Sequence, residues 1–545
     1  MNKKNKPVSI KEEKGVNPDP KRKSIISLFS LSSFWLRIII IGQMILLGLQ
    51  FTPNISTNGD DAVYYILGKS IATGHGYRNI QLTGAPVETN FPIAFPSFLA
   101  IVHLFTDTPL LSKILVACLG CIATLASFYL FRVWASWLLI PLLLLVGSLS
   151  VLNQHALELL SEVPFLALTL ISLVLLEKSY KYPKNKWLFW LAIFFSVLPM
   201  NCRSIGMAFS GAFIVANLLN RRFRYSIAHA GLLVTSILSV KLLTSWNATS
   251  ASYLAHLFLK NSYDPEQGYS TIAEMGTRVL ANIGKYTTAI LPETFMPSFI
   301  HANPGIAAFI GICLSTLIFI GCIRSLFLPF RLIGIYTIFY CGIISLWQVQ
   351  WSSGRFLAGI LPFLVFLLFT GVSTTGQFIG KIKTRTGNAL GSLFLDGASF
   401  VRPSGVFQGV IWSLAILFAW DNVSFQAKNA GQGGILSRDW VNFFSCADWI
   451  RENAPKDAVV VSRKTEHVYL RSLRQGMIYP FSHDKEKVIE EIQKKHASYI
   501  LVDGFYWTGT TQRYLYPALQ AHPELYRVVY ALRNPDTFVL QMVEK

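Results

Sequence analysis

A succession of apolar runs, each close to the ~20 residues that a bilayer-spanning helix needs, limits what this chain can fold into more than any other feature. The runs fall near 35–51, 109–131, 137–152, 163–177, 187–200, 205–219, 226–243, 304–323, 331–348, 356–373 and 407–423, about eleven spans in all. In hydrocarbon each segment must satisfy its own backbone N–H and C=O groups, so the runs are expected to be helices. The chain is 52% hydrophobic and 14% charged, against roughly 25% charged in ordinary soluble domains. The net charge of +19 raises nucleic acid as a partner, but most Lys and Arg sit in short clusters between apolar runs. That is where cytosolic loops of membrane proteins carry them, and a nucleic-acid partner is set aside. Cys118, Cys121, Cys202, Cys313, Cys322 and Cys341 lie in or beside apolar segments and Cys446 stands alone in the polar C-terminal part. No disulfide framework follows, and Cys118 with Cys121 lacks the second ligand pair of a zinc site.

Charge then orients the chain. Residues 1–33 are polar and rich in Lys, a disordered cytosolic tail too long and too charged for the head of a signal peptide, so the first apolar run is a retained anchor. Basic clusters recur on alternate connections: Arg132, Lys178 to Lys186, Arg221 with Arg222 and Arg224, Arg324 with Arg331, and Lys381 with Lys383 and Arg385. The positive-inside rule therefore places 52–108, 153–162, the turn at 201–204, 244–303, 349–355 and everything after about 424 on the non-cytosolic side. The segment 187–219 is short for two crossings, and basic clusters at both its ends favour a hairpin over one tilted helix. Residues 374–406 read as a cytosolic loop with an interfacial stretch, and 253–297 contains short amphipathic pieces suited to the membrane surface.

Beyond 424 the apolar runs shrink to strand length at 458–462, 498–502, 527–532 and 538–543, while 485–495 and 512–520 look helical. The expected fold is mainly α: a polytopic membrane helical bundle over 34–423 with outer loops 52–108 and 244–303, and a small extracytoplasmic α/β domain over 424–545. The expected location is the inner (plasma) membrane, crossed many times.

Polar groups held at helix mouths on one side are the candidate site residues. Asp60 and Asp61 open a helix-like stretch that carries Tyr64 and leads to His75 and Tyr77; such a pair serves either as a helix N-terminal cap or as catalytic carboxylates. Glu158 and Glu162, four residues apart, are expected on one helix face at the mouth of the span starting near 163. Arg355 starts a span on the outer side, against both the charge rule and the helix dipole, and Arg203 occupies the external turn. Two carboxylates and two arginines at one chamber suit transfer of a sugar from a phosphate carrier. A hydroxyl acceptor gives its proton to a carboxylate base, and an arginine fork balances the departing phosphate. His75, His103, His155, His256 and His301 lie in or near outer loops and are most simply solvated loop histidines.

At these residues the chain resembles the GT-C glycosyltransferases of the protein-mannosyltransferase and aminoarabinose-transferase type. The likeness runs through an ordered set of short motifs: Asp60-Asp61 with Tyr64 and Gly74-His75-Gly76-Tyr77, Phe91-Pro92 to Phe95-Pro96, Ser161-Glu162-Val163-Pro164-Phe165, Asn201-Cys202-Arg203-Ser204-Ile205-Gly206, and Gly354-Arg355-Phe356-Leu357 to Leu361-Pro362. Asp448-Trp449-Ile450-Arg451-Glu452-Asn453-Ala454-Pro455 and Tyr499-Ile500-Leu501-Val502-Asp503 are similar to the outer domains of bacterial members. The resemblance implies inverting transfer from a polyprenyl-phosphate-linked sugar donor to a lipid, glycan or protein acceptor on the outer face. It implies Asp60 as general base with Asp61 supporting it, Glu162 as a second acid contacting acceptor or cation, Arg355 on the lipid phosphate with Arg203 assisting, and Tyr64, His75, Tyr77 and Glu158 lining the cavity. The chain departs from relatives in having Asp-Asp where many have Asp-Glu, and in the absence of a basic residue and double proline at Asn90-Phe91-Pro92-Ile93. Metal use varies among such enzymes; a divalent cation stays open, and the sequence offers no dedicated ligand cluster. Two other readings remain: a polysaccharide ligase or polymerase with a lipid-pyrophosphate donor, and a lipid or sugar transporter, for which ionisable groups belong at mid-membrane.

Overall fold

Each apolar run identified above is helical in the structure, a computed structural model that describes residues 20–243, 257–383 and 404–543. Among the described residues, seven helices are long and apolar enough to cross a membrane: Ser32–Gln50, Pro109–Trp134, Glu162–Lys181, Phe223–Leu242, Pro304–Ser325, Leu361–Gly380 and Gly405–Lys428. The run at 137–152 is a pair, Ser136–Ser148 and Ser150–Ala156, bent by 54°. The other three runs give shorter apolar helices, Lys186–Cys202, Gly206–Leu219 and Arg331–Leu346. The architecture is a polytopic helical bundle with a small C-terminal sheet domain.

The bend at Leu149 frees backbone groups that hydrocarbon cannot satisfy, and the last helix supplies partners for them. Asn422 Oδ1 accepts from Ser150 N at 2.8 Å, and Gln426 Nε2 donates to Ser148 O at 2.7 Å. Elsewhere small residues let backbones touch. A Cβ on Gly321 would stand 1.9 Å from Leu367 O, and one on Gly371 would stand 1.9 Å from Leu317 O, which locks Ala307–Ser325 against Leu361–Lys383.

The segment 187–219 is a hairpin. Lys186–Cys202 and Gly206–Leu219 are joined by three residues; Phe189, near the start of the first helix, packs on Tyr225, while Arg203 at the turn reaches Glu162 at the far end of the neighbouring helix. Gly206 makes the turn possible, since a Cβ there would fall 2.5 Å from Met200 N.

Four boundaries differ from the sequence reading. The first helix begins at Pro20, inside the expected tail, whose residues 1–19 lie outside the described ones. The helix from Leu361 continues to Lys383, so 374–383, expected in a loop, are helical, and the rest of that expected loop, 384–403, lies outside the described residues. The last helix runs on to Lys428. Glu158 and Glu162 do not share a helix face: the short helix ends at Ala156, the next starts at Glu162, and Glu158 sits in the irregular connection between them.

The C-terminal domain holds five strands, β1 (Val460–Val461), β2 (Gly476–Met477), β3 (Tyr499–Val502), β4 (Tyr526–Leu532) and β5 (Thr537–Met542), in the order β2-β1-β3-β5-β4. β1 is parallel to β2 and β3, and β5 is antiparallel to β3 and β4. β2 was not anticipated, because two residues carry no alternation to read. One face of the sheet buries Val461, Ile500 and Leu540 with Val488 and Ile492, and the other buries Val460, Leu501 and Val539 with Phe443 and Ile450. The domain is stitched to both long loops. Gly476 N donates to Gln81 O at 2.9 Å and Thr83 N to Gly476 O at 3.0 Å. On the second loop, Ser482 Oγ donates to Glu266 Oε1 at 2.6 Å and Tyr514 OH to Tyr263 O at 2.9 Å. That loop contributes the amphipathic helix Ile272–Lys285, whose Ile272, Leu280 and Ile283 are exposed.

Candidate active site

Four charged residues from four distant segments meet at the end of the bundle where the loops and the C-terminal domain gather. Asp60 is the first residue of the helix Asp60–Ala72, placed by Gly59 at φ +81°, a backbone state suited to glycine. Glu162 opens Glu162–Lys181, Arg203 caps Lys186–Cys202, and Arg355 opens the short helix Arg355–Ala358. Arg355 Nη2 donates to Asp60 Oδ2 at 2.7 Å, and its Nε donates to Glu162 Oε1. Arg203 Nη1 reaches that same Glu162 oxygen at 2.6 Å.

Burial grades this cluster. The Glu162 side chain is 1% exposed and that of Asp60 38%, so Glu162 is the inner anchor and Asp60 faces the open side. Glu162 Oε2 is buried and finds no hydrogen-bond partner among the described residues. Behind the arginines, Ser161 Oγ receives Arg203 Nη1 at 3.1 Å and Tyr64 OH at 2.9 Å. Arg203 also lies over the Phe356 ring at 5.6 Å, and Tyr340 OH donates to Phe356 O at 2.6 Å, fixing the backbone next to Arg355.

Asp61 turns away from Asp60 into the interior, where it is fully buried and its Oδ2 accepts from Leu159 N at 3.1 Å. Burial, reinforced by the charge of Glu158, pushes its carboxyl up to about 7. Glu158 stands beside it rather than in the cluster, accepting from Asn58 Nδ2 at 3.1 Å and paired with His155 at 2.6 Å. Tyr64 packs edge-on against Phe91 and Phe95, and Tyr77 OH donates to Phe91 O at 2.7 Å; both hold the first loop together. His75 is exposed beyond the far end of the Asp60 helix, against Thr73, and is not brought into the cluster.

Two features gain a defined place only in the structure: the stretch with Lys464 and Glu466, which the sequence suggests only as part of a supporting or acceptor-guiding module, and Ser161. A Cβ on Gly59 would stand 2.7 Å from Lys464 Nζ and 2.9 Å from Glu466 Oε1, so the C-terminal domain presses directly on the turn that presents Asp60. Lys464 follows β1, at the carboxyl edge of a parallel strand pair, a position where such sheets present ligands. Ser161 belongs to the Ser161-Glu162-Val163-Pro164-Phe165 motif, but its linking hydroxyl becomes visible only once Tyr64 and Arg203 are placed.

The donors present do not form a metal cage. Glu162 Oε1 already takes two guanidinium groups, and among the described residues no three His, Cys, Asp or Glu side chains converge.

No protein-family profile and no curated protein matches the sequence. Solved structures do match the fold. The Archaeoglobus fulgidus oligosaccharyltransferase, tethered to an acceptor peptide, superposes with a TM-score of 0.55 at 12% identity, covering 94% of this chain and 74% of that one. ArnT from Cupriavidus metallidurans bound to undecaprenyl phosphate gives a TM-score of 0.53 at 11% identity over 95% of this chain and 98% of its own. A second Archaeoglobus structure, a complex with Zn and sulfate, gives 0.52 at 12% identity over 93% and 73%. The chain therefore shares the fold of these solved structures, the GT-C fold, a bundle closed at one end by two long loops and a small sheet domain.

Proposed function

We propose that the chain is a membrane glycosyltransferase that moves a sugar from a polyprenyl-phosphate donor to an acceptor hydroxyl on the non-cytosolic face, with inversion at the anomeric carbon. The observation that carries this reading is the contact of Asp60 with Arg355 and of Arg355 and Arg203 with Glu162, at the mouth of a GT-C bundle. Asp60 accepts the acceptor's hydroxyl proton as the oxygen attacks the anomeric carbon from the side opposite the phosphate. The bond between that carbon and the phosphate oxygen breaks, and the lipid phosphate departs with one more negative charge. Arg355 meets that charge: Nε and Nη2 are held by the two carboxylates, and Nη1 donates to no described residue, leaving it for phosphate. Glu162 fixes both guanidinium groups, and Asp61 secures the connection at Leu159 that carries it.

A panel of radiolabelled polyprenyl-phosphate sugars tests the reading. The purified chain with an acceptor fraction should consume one of them and release polyprenyl phosphate. Consumption of none, together with turnover of a lipid-pyrophosphate donor, would replace it by the ligase reading.

A further inference from the structure

A cavity lies at the end of the bundle opposite the charged cluster. Helix Glu162–Lys181 carries Glu162 at its start and Tyr180 near its finish, and at 1.5 Å per residue those ends are about 30 Å apart. Next to Tyr180 is a cavity of about 400 Å³ lined by Arg221, Arg222, Arg224 and Tyr225 among others.

Basic residues at this end are expected from charge orientation alone, but these are held in a way that solvated loop charges do not require. The Arg222 guanidinium lies 3.5 Å from the centroid of the Tyr180 ring, and Arg224 lies 5.3 Å from Phe189 and 5.0 Å from Tyr225. The rings pack edge-on, Tyr180 to Tyr225 at 5.0 Å and Phe189 to Tyr225 at 4.9 Å. They are pinned by Tyr180 OH donating to Asn217 Oδ1 at 2.6 Å and by a 2.8 Å bond between Ser179 and Tyr225. Stacking on aromatic faces orients a guanidinium; Arg224 Nη2 also donates to Tyr225 OH at 3.3 Å, which leaves the other N–H groups of its fork for an anion. Among the described residues no carboxylate forms an ion pair with the three arginines, although Glu177 lies near enough to Arg222 for their charges to interact.

Arg221 adds a backbone observation. Its N–H bonds to Leu218 O and that of Arg222 to Asn217 O, a helix stop whose left-handed residue is usually glycine, yet here an arginine is held at φ +56°. Exposed Leu219, Phe223 and Ile227 flank the cavity on the lipid side, so anion-binding groups and hydrocarbon-facing groups adjoin.

We propose that this cavity binds the phosphodiester headgroup of an anionic phospholipid in the leaflet at that end of the bundle, its acyl chains lying along Leu219, Phe223 and Ile227. A free phosphate would use the arginines but not the apolar flank.

The test is thermal unfolding and native mass spectrometry of the full chain in neutral detergent, titrated with phosphatidylglycerol, phosphatidylcholine or inorganic phosphate. Phosphatidylglycerol should raise the unfolding temperature and remain bound at one copy per chain, while the other two should do neither. The double change Arg222→Lys and Arg224→Lys keeps the charge and removes the stacked forks, and should weaken phosphatidylglycerol about tenfold or more. Should that variant not fold, Arg221→Lys gives the same readout. Equal stabilisation by phosphatidylcholine or by inorganic phosphate, or unchanged affinity in the lysine variants, would overturn the proposal.

Discussion

The two ends of helix Glu162–Lys181 treat arginine in opposite ways. At its first residue, one carboxylate that is 1% exposed holds two guanidinium groups, and a second carboxylate holds one of them again. Near its last residue, arginines rest on aromatic rings. The first arrangement is charge-neutral and expensive to disturb, because each partner is desolvated on behalf of the other. The second carries net positive charge and is cheap to disturb, because its hydration is only partly lost. A neutral, rigid cluster suits a site where charge develops during a reaction; an uncompensated one suits a site that waits for an anion.

Substitutions break or sharpen this contrast. Glu162→Gln leaves two buried guanidinium groups facing an amide, and removing one member of a buried pair costs about 3–5 kcal/mol. Thermal unfolding in detergent should fall accordingly, whereas Arg222→Ala at the other end should lose about 0.5–1 kcal/mol, the size of an exposed cation–π contact. Equal losses would erase the contrast. Arg355→Lys keeps the charge but cannot span Asp60 and Glu162 together, so donor turnover should drop roughly 10–100-fold with the protein still folded; full turnover would remove the fork from the account.

Gly59→Ala places a methyl against Lys464 and Glu466 on a backbone that L-residues resist, at about 1–2 kcal/mol. The C-terminal domain should become more sensitive to limited proteolysis, and unchanged sensitivity would mean that it does not rest on that turn. A separate test is pH. Asp61 titrates near 7 in the folded chain against its ordinary 3.8, so the folded state binds the proton more tightly and stability falls as pH rises between those values, then levels off. Asp61→Asn should flatten that decline in unfolding curves taken across the range; an unaltered slope would assign it to another group.

Much of this was legible in the sequence. The spans follow from length and apolarity, and the hairpin at 187–219 from basic clusters at both its ends, both being one-dimensional signals that hydrocarbon enforces. Asp60, Glu162, Arg203 and Arg355 stood out because charge at a helix mouth needs a reason. What stayed hidden depends on direction. Asp61 follows Asp60 by one residue and so points about 100° round the helix, into the interior and toward Leu159. His75 shares a motif with Asp60 but lies past the far end of a 13-residue helix. Glu158 looked like a helical neighbour of Glu162 because spacing does not reveal that the helix stops at Ala156. Lys464 and Glu466 reach Gly59 across some four hundred residues of chain, a closeness that no local pattern encodes.

Asp60→Asn tests the central assignment most directly, since the side chain is the open member of the cluster and an amide keeps its size and its bond from Arg355. With the donor that the wild-type chain consumes, the variant should bind it with unchanged affinity and release polyprenyl phosphate about 10²–10⁴ times more slowly. Release at the wild-type rate would show that the proton goes elsewhere.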